Sequence, residues 1–108
     1  MRVAERERLP QRRECDGFDI AALGLHFHAT VGRFADGRLA EVFITNHKAG
    51  SMAGIMASDA AVVASIALQY GVPVDVIRHA LMRDSLGKPS GPLGVVLDRL
   101  ADEGETEI

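Results

Sequence analysis

The chain has no tryptophan, one cysteine, and aromatic residues at only 5% of its 108 positions. A core built without large rings must be assembled from Ala, Val, Ile and Leu, which together with the other apolar residues make up 47% of the chain. A lone Cys15 has no intramolecular partner, which excludes the disulfide framework of small secreted domains and points to a reducing cytoplasm. The net charge of −3 leaves no basic excess for general binding to nucleic acid, so no nucleic-acid partner is expected. Residues 1–14 lack the apolar segment of a secretory signal. Residues 52–70 hold a single charge, Asp59, yet Ser58, Ser65 and Gln69 make them too polar for a membrane span. A chain of this length has room for one domain with one core.

Charge gathers at the ends. Residues 1–14 carry five arginines against three glutamates, and residues 101–108 carry four acids and no base. Pro10 disfavours helix at Leu9, so residues 1–11 read as a flexible arm. Residues 12–102 read as a single domain and residues 103–108 as an acidic tail.

Periodicity supplies the fold. Residues 14–21 form a candidate first strand. From 25 to 34, Leu25, Phe27, Ala29 and Val31 alternate with His26, His28 and Thr30, a period of two. Ala35-Asp36-Gly37 is turn chemistry, with Gly37 able to take the positive φ of a three-residue hairpin loop. Residues 38–45 return as a partner strand rich in Val, Phe, Ile and Thr. Ser51 is a candidate N-cap for a helix over 52–70, and Gly71 suits a left-handed C-terminal cap. Apolar residues occupy much of that helix's circumference, so it is expected to be buried on several sides, with Val62 and Ile66 in the core. Pro73 opens a second helix to about Arg83, and Pro92 a third to about Asp102. The fold class is α+β: an antiparallel sheet of about three strands, with the hairpin at 25–45, packed by two or three helices.

The chemistry-bearing candidates are few. His26 and His28 share a strand face and could begin a metal site, with Asp59, His47 or His79 as further ligands; the expectation is that they bind no metal. Ala49-Gly50-Ser51-Met52-Ala53 lacks the second glycine pattern of a nucleophile elbow, and Gly87-Lys88 lacks the leading glycine of a phosphate-binding loop, so neither is assigned catalysis. Ser51, Ser58 and Ser65 recur every seven residues as a polar stripe along the helix. Asp59 on a buried helix needs a cation, and Arg33 or Arg38 is available.

A larger pattern joins these pieces. Arg8-Leu9-Pro10, Thr30-Val31-Gly32, Asp36-Gly37, Glu41-Val42-Phe43-Ile44-Thr45, Lys48-Ala49-Gly50-Ser51 and Ile66-Ala67-Leu68-Gln69-Tyr70-Gly71-Val72-Pro73 resemble the TSCPD domain, the small accessory domain at the C-terminal end of adenosylcobalamin-dependent ribonucleotide reductases. The resemblance spans most of residues 8–99. The family's Thr-Ser-Cys-Pro-Asp string aligns with Pro89-Ser90-Gly91-Pro92-Leu93. Ser90 and Pro92 match and imply a helix cap and first turn, whereas Gly91 and Leu93 remove the thiol and the carboxylate.

The resemblance implies an accessory role in deoxyribonucleotide metabolism, through protein contact or ligand sensing. The radical-generating cysteines, nucleotide barrel and cobalamin domain of a reductase are absent. No catalytic residue and no cofactor are therefore expected in this chain. The expected partners are a second copy, as a homodimer, and a ribonucleotide reductase large subunit. Asp59, Lys88, Ser90, Gly91 and Pro92 are the candidate ligand or partner contacts. The competing readings are an independent small-molecule or nucleotide-binding module, with the 88–92 turn and the His26/His28 face forming a pocket, and a metal-dependent enzyme.

Overall fold

Alternation, turn chemistry and helix caps produce three strands followed by three helices. The computed structural model describes residues 5–48 and 50–106; the expected arm and tail therefore extend beyond the described residues at 1–4 and 107–108. Strands β1 (Cys15–Ala22), β2 (Leu25–Arg33) and β3 (Leu39–Asn46) form one antiparallel sheet in the order β1-β2-β3. Helices α1 (Met52–Gln69), α2 (Val74–Ala80) and α3 (Pro92–Thr106) follow. This is the α+β arrangement that the sequence predicts.

The period of two sets the buried face of β2. Phe27, Ala29 and Val31 point into the core, opposite Val42 and Ile44 of β3. Leu25 is exposed instead, because it sits beside the β1–β2 loop, past the end of the helical cover. The β2–β3 loop closes as expected, with Gly37 at φ 92° and its amide donating to the Phe34 carbonyl. The β1–β2 loop has only two residues, Leu23 (φ 56°) and Gly24 (φ 71°). Both are left-handed, as the twist of a two-residue hairpin requires.

Helix α1 covers the edge of the sheet as well as its face. Val42 donates its amide to Ser65 Oγ (2.8 Å), the Ser65 hydroxyl lies 3.0 Å from the Val42 carbonyl, and Gln69 Nε2 donates to the Ala40 carbonyl (3.1 Å). These are the backbone groups that β3, an edge strand, would otherwise leave open for pairing. On the opposite edge Arg99 of α3 donates to the Asp19 carbonyl and lies over the Phe18 ring.

This close approach explains the largest departure from expectation. The face of α1 turned to the sheet carries Ala57, Ala61, Ala64, Ser65, Leu68 and Gln69. Small side chains let the helix axis sit low enough for Ser65 and Gln69 to reach β3. The bulkier residues are consequently turned out: Val62 is 46%, Val63 67% and Ile66 39% exposed. Val62 and Ile66 are thus surface residues, not core. Of the serine stripe, Ser51 caps the helix by accepting from the Gly54 amide, Ser65 is buried on β3, and Ser58 is exposed. By length and composition α1 could cross a membrane, but 33% of it is buried within the fold.

Helix α2 ends at Ala80, three residues before the predicted Arg83, because the chain turns extended at Leu81. Asp84 Oδ1 accepts from the amides of Leu86 and Lys88, and Arg83 bridges to Pro89. The next helix runs one turn beyond its predicted end, so residues 103–106 of the expected tail are helical. One carboxylate ties these parts together. Asp98 of α3 accepts from Arg83 (2.7 and 2.8 Å) and from Arg78 of α2 (2.8 Å).

Candidate functional site

Three elements that meet at one end of the domain leave a gap between them. The β1–β2 loop contributes Leu23, the first half of α1 contributes Ala53, Met56 and Ala60, and the 81–94 segment contributes Leu81, Met82, Gly91 and Pro92. Together they enclose a groove of about 240 Å³ whose walls hold no charged residue. Phe27 and Leu93 form its floor. The 81–94 wall is held firmly: Ser90 donates its amide to the Met82 carbonyl, and Gly94 lets Pro89 sit against α3, since an added Cβ there would lie 2.8 Å from the Pro89 Cβ.

Leu23 is the unusual residue of this groove. A branched side chain at positive φ costs free energy that glycine or asparagine would avoid. Leu23 is also 69% exposed, so burial offsets little of that cost. The exposed methionines Met56 and Met82 face the same opening. Flexible, polarisable methionines suit a surface that receives apolar side chains.

The structure unites part of the predicted site. Gly91 and Pro92 line the groove, whereas no atom of Lys88 or Ser90 does. Lys88 is exposed, and its backbone, not its ammonium, is engaged by Asp84. Ser90 does not cap α3 with its hydroxyl; the carbonyl that receives the Val95 amide belongs to Gly91. Asp59 is next to groove-lining Ala60 but points outward, exposed. Neither expected cation reaches it. Arg38 is held by Asp36 (2.7 Å) and Glu7 (2.9 Å), and Arg33 donates to the Gly37 carbonyl.

The histidines lie elsewhere. His28 sits on the open face of the sheet, 2.9 Å from Asp19 and over Gly17, so the imagined pocket shared with residues 88–92 does not exist. Among the described residues no group of three or more His, Cys, Asp or Glu could hold a metal ion. Sequence reasoning missed Leu23, Met56 and Met82. A Leu-Gly pair between two alternating strands was the available signal for the first.

The TSCPD domain family matches residues 6–101. The chain belongs to the TSCPD domain family. Similar proteins are vitamin B12-dependent ribonucleotide reductases. That of Bradyrhizobium diazoefficiens is 36% identical over 93 residues, covering 84% of this chain and 7% of the relative. Those of Agrobacterium fabrum (39% identity, 66% of this chain, 6% of the relative) and Rhodopirellula baltica (42%, 67% and 7%) give the same proportion. This TSCPD domain therefore spans only 6–7% of the length of these curated relatives. No solved structure matches it at a significant level. Of the three positions at which residues 89–93 differ from the string they resemble, Gly91 and Leu93 border the groove and Pro89 does not. Gly91 and Leu93 bring apolar surface to this opening.

Proposed function

We propose that this TSCPD domain is an accessory module of deoxyribonucleotide metabolism that works by protein contact, without a reaction of its own. It acts in the cytoplasm, and its partner is a ribonucleotide reductase large subunit, whose short apolar segment seats in the groove beside Gly91 and Pro92. In the similar reductases the matching segment is a minor part of one long polypeptide, which makes reductase surface the natural partner for this fold. The observation that carries this reading is Leu23: a strained, exposed leucine forming one wall of an uncharged groove is better explained by a ligand that covers it than by stability. The lack of a charged lining argues against nucleotide phosphate as the occupant.

Titration calorimetry of the purified chain with a vitamin B12-dependent ribonucleotide reductase tests the proposal. A Cβ added at Gly91 would meet open space, so Gly91→Trp leaves the fold intact and fills the groove. Binding by the wild type that Gly91→Trp abolishes supports the proposal. No binding by the wild type, or equal binding by both, overturns it.

A further inference from the structure

The outward face of α1 is more apolar than its inward face. Met52, Ile55, Met56, Val62, Val63, Ile66 and Tyr70 are all exposed and lie on one face of the helix, a contiguous apolar patch of the kind that marks an interaction site. Their spacing of three and four residues is the seam of a helix that packs against another helix. Asp59 stands at the centre of this seam, exposed and without an ion-pair partner among the described residues. The sheet edges are partly taken, since Ser65 and Gln69 occupy Val42 and Ala40 of the β3 edge and Arg99 takes the Asp19 carbonyl of the β1 edge.

We infer that a second copy of this chain covers the α1 face, in an antiparallel two-fold pairing that sets Arg6 of each copy against Asp59 of the other. Arg6 is fixed at the C-terminal end of α1: its Nε donates to Gln69 Oε1 (2.6 Å), and the neighbouring Glu7 amide donates to the Gln69 carbonyl (2.7 Å). The two terminal nitrogens of its guanidinium remain available for a carboxylate. Antiparallel helices bring the end of one α1 to the middle of the other, and one self-complementary face then serves both chains. With Asp59 opposite the Gln69 level, the two-fold axis falls near Ala64, and Val62, Val63, Ile66 and Tyr70 form the shared seam. The register matches the acid of the seam with a cation that the fold has already positioned. It leaves Met52 and the groove's Leu23, Met82, Gly91 and Pro92 outside the contact, with Met56 and Ala60 at its margin, so the seam variants at residues 63 and 66 test this inference apart from the reductase docking proposed above.

Sedimentation equilibrium of the full chain in the micromolar range reads the result. The expected mass is near twice the 11.6 kDa of one chain. Ile66→Asp and, independently, Val63→Glu should each give the monomer mass with an unchanged helical circular dichroism spectrum, because both positions are exposed. Asp59→Arg and Arg6→Asp should each weaken the dimer by about tenfold or more, and the double exchange should recover most of that loss. A wild-type mass of one chain overturns the inference, as does a dimer that survives both seam variants. A dimer broken by the seam variants but not recovered by the charge exchange overturns the antiparallel register.

Discussion

The Glu41 side chain occupies the space that a side chain at position 32 would need. A Cβ added to Gly32, its cross-strand neighbour on the open face of the sheet, would lie 2.5 Å from Glu41 Oε1 and 2.8 Å from its Cγ. That vacancy makes room for the nearly buried carboxylate, which accepts from Arg13 Nε and so fastens the segment before β1 to the sheet. Gly32→Ala should therefore cost about 1–3 kcal/mol, the range for overpacking a filled site. Urea unfolding measures it. In the Glu41→Ala background the same change should cost much less, and strict additivity would show the two sites to be uncoupled.

Asp98 is the partly buried carboxylate whose pairing links the fold to pH. The hydrogen bond from Arg83 is the largest effect on its carboxyl; it outweighs the opposing effect of burial and, joined by the hydrogen bond from Arg78 and the charges of both arginines, holds the group well below the usual carboxylate range. The folded state therefore binds this proton less readily than the unfolded chain. The resulting stability is fully present above the unfolded value of about 4 and is lost as pH falls below it. Asp98→Asn should destabilise by about 1–3 kcal/mol at neutral pH, the worth of charged hydrogen bonds, and the gap should narrow as pH approaches 2. Chemical denaturation of both proteins across that interval checks the convergence; parallel curves would exclude Asp98 as the titrating group.

Helix α1 inverts the usual expectation for core substitutions. Ile66→Ala removes an exposed side chain and should change stability by less than about 0.5 kcal/mol in the monomer. Ala61→Leu, at a fully buried position on the sheet, should cost about 1–3 kcal/mol by lifting the helix off β3. Thermal melts of the two variants, in the Val63→Glu background to remove any self-association, order them. A larger loss for Ile66→Ala would mean that the burial pattern is wrong.

That inversion marks where sequence reasoning succeeded and where it could not. The alternation of Phe27, Ala29 and Val31, the Asp36-Gly37 turn, the Ser51 cap and Gly71 are local signals, and the hairpin and helix follow from them directly. Which side of α1 meets the sheet is not local. Apolar size points Val62 and Ile66 inward, but the need to satisfy Ala40 and Val42 at the β3 edge selects the small, polar-bearing side with Ser65 and Gln69. Similarly, α2 reads as running to Arg83 until Asp98, from a later helix, claims that arginine. Gly91 and Pro92 were legible as candidates through the resemblance to the family's string, and both line the groove. Met56 and Leu23 reach the groove only through tertiary structure.

Leu23 separates stability from function in a single substitution. Its positive φ is the conformation that asparagine tolerates and leucine resists, and Asn-Gly is a favoured pair for a two-residue hairpin loop. Because the side chain is largely exposed, replacing it forfeits little burial. Leu23→Asn should therefore stabilise the domain by about 1 kcal/mol, raising Tm by about 4–8 °C for a domain of this size. The same change removes one wall of the groove and puts an amide in its place. Reductase binding measured by calorimetry should then weaken by about tenfold, while the melting temperature moves the other way. Opposite signs in the two measurements identify a residue retained for contact at the expense of folding. A variant that is both less stable and unchanged in binding would refute the strain argument and the groove together.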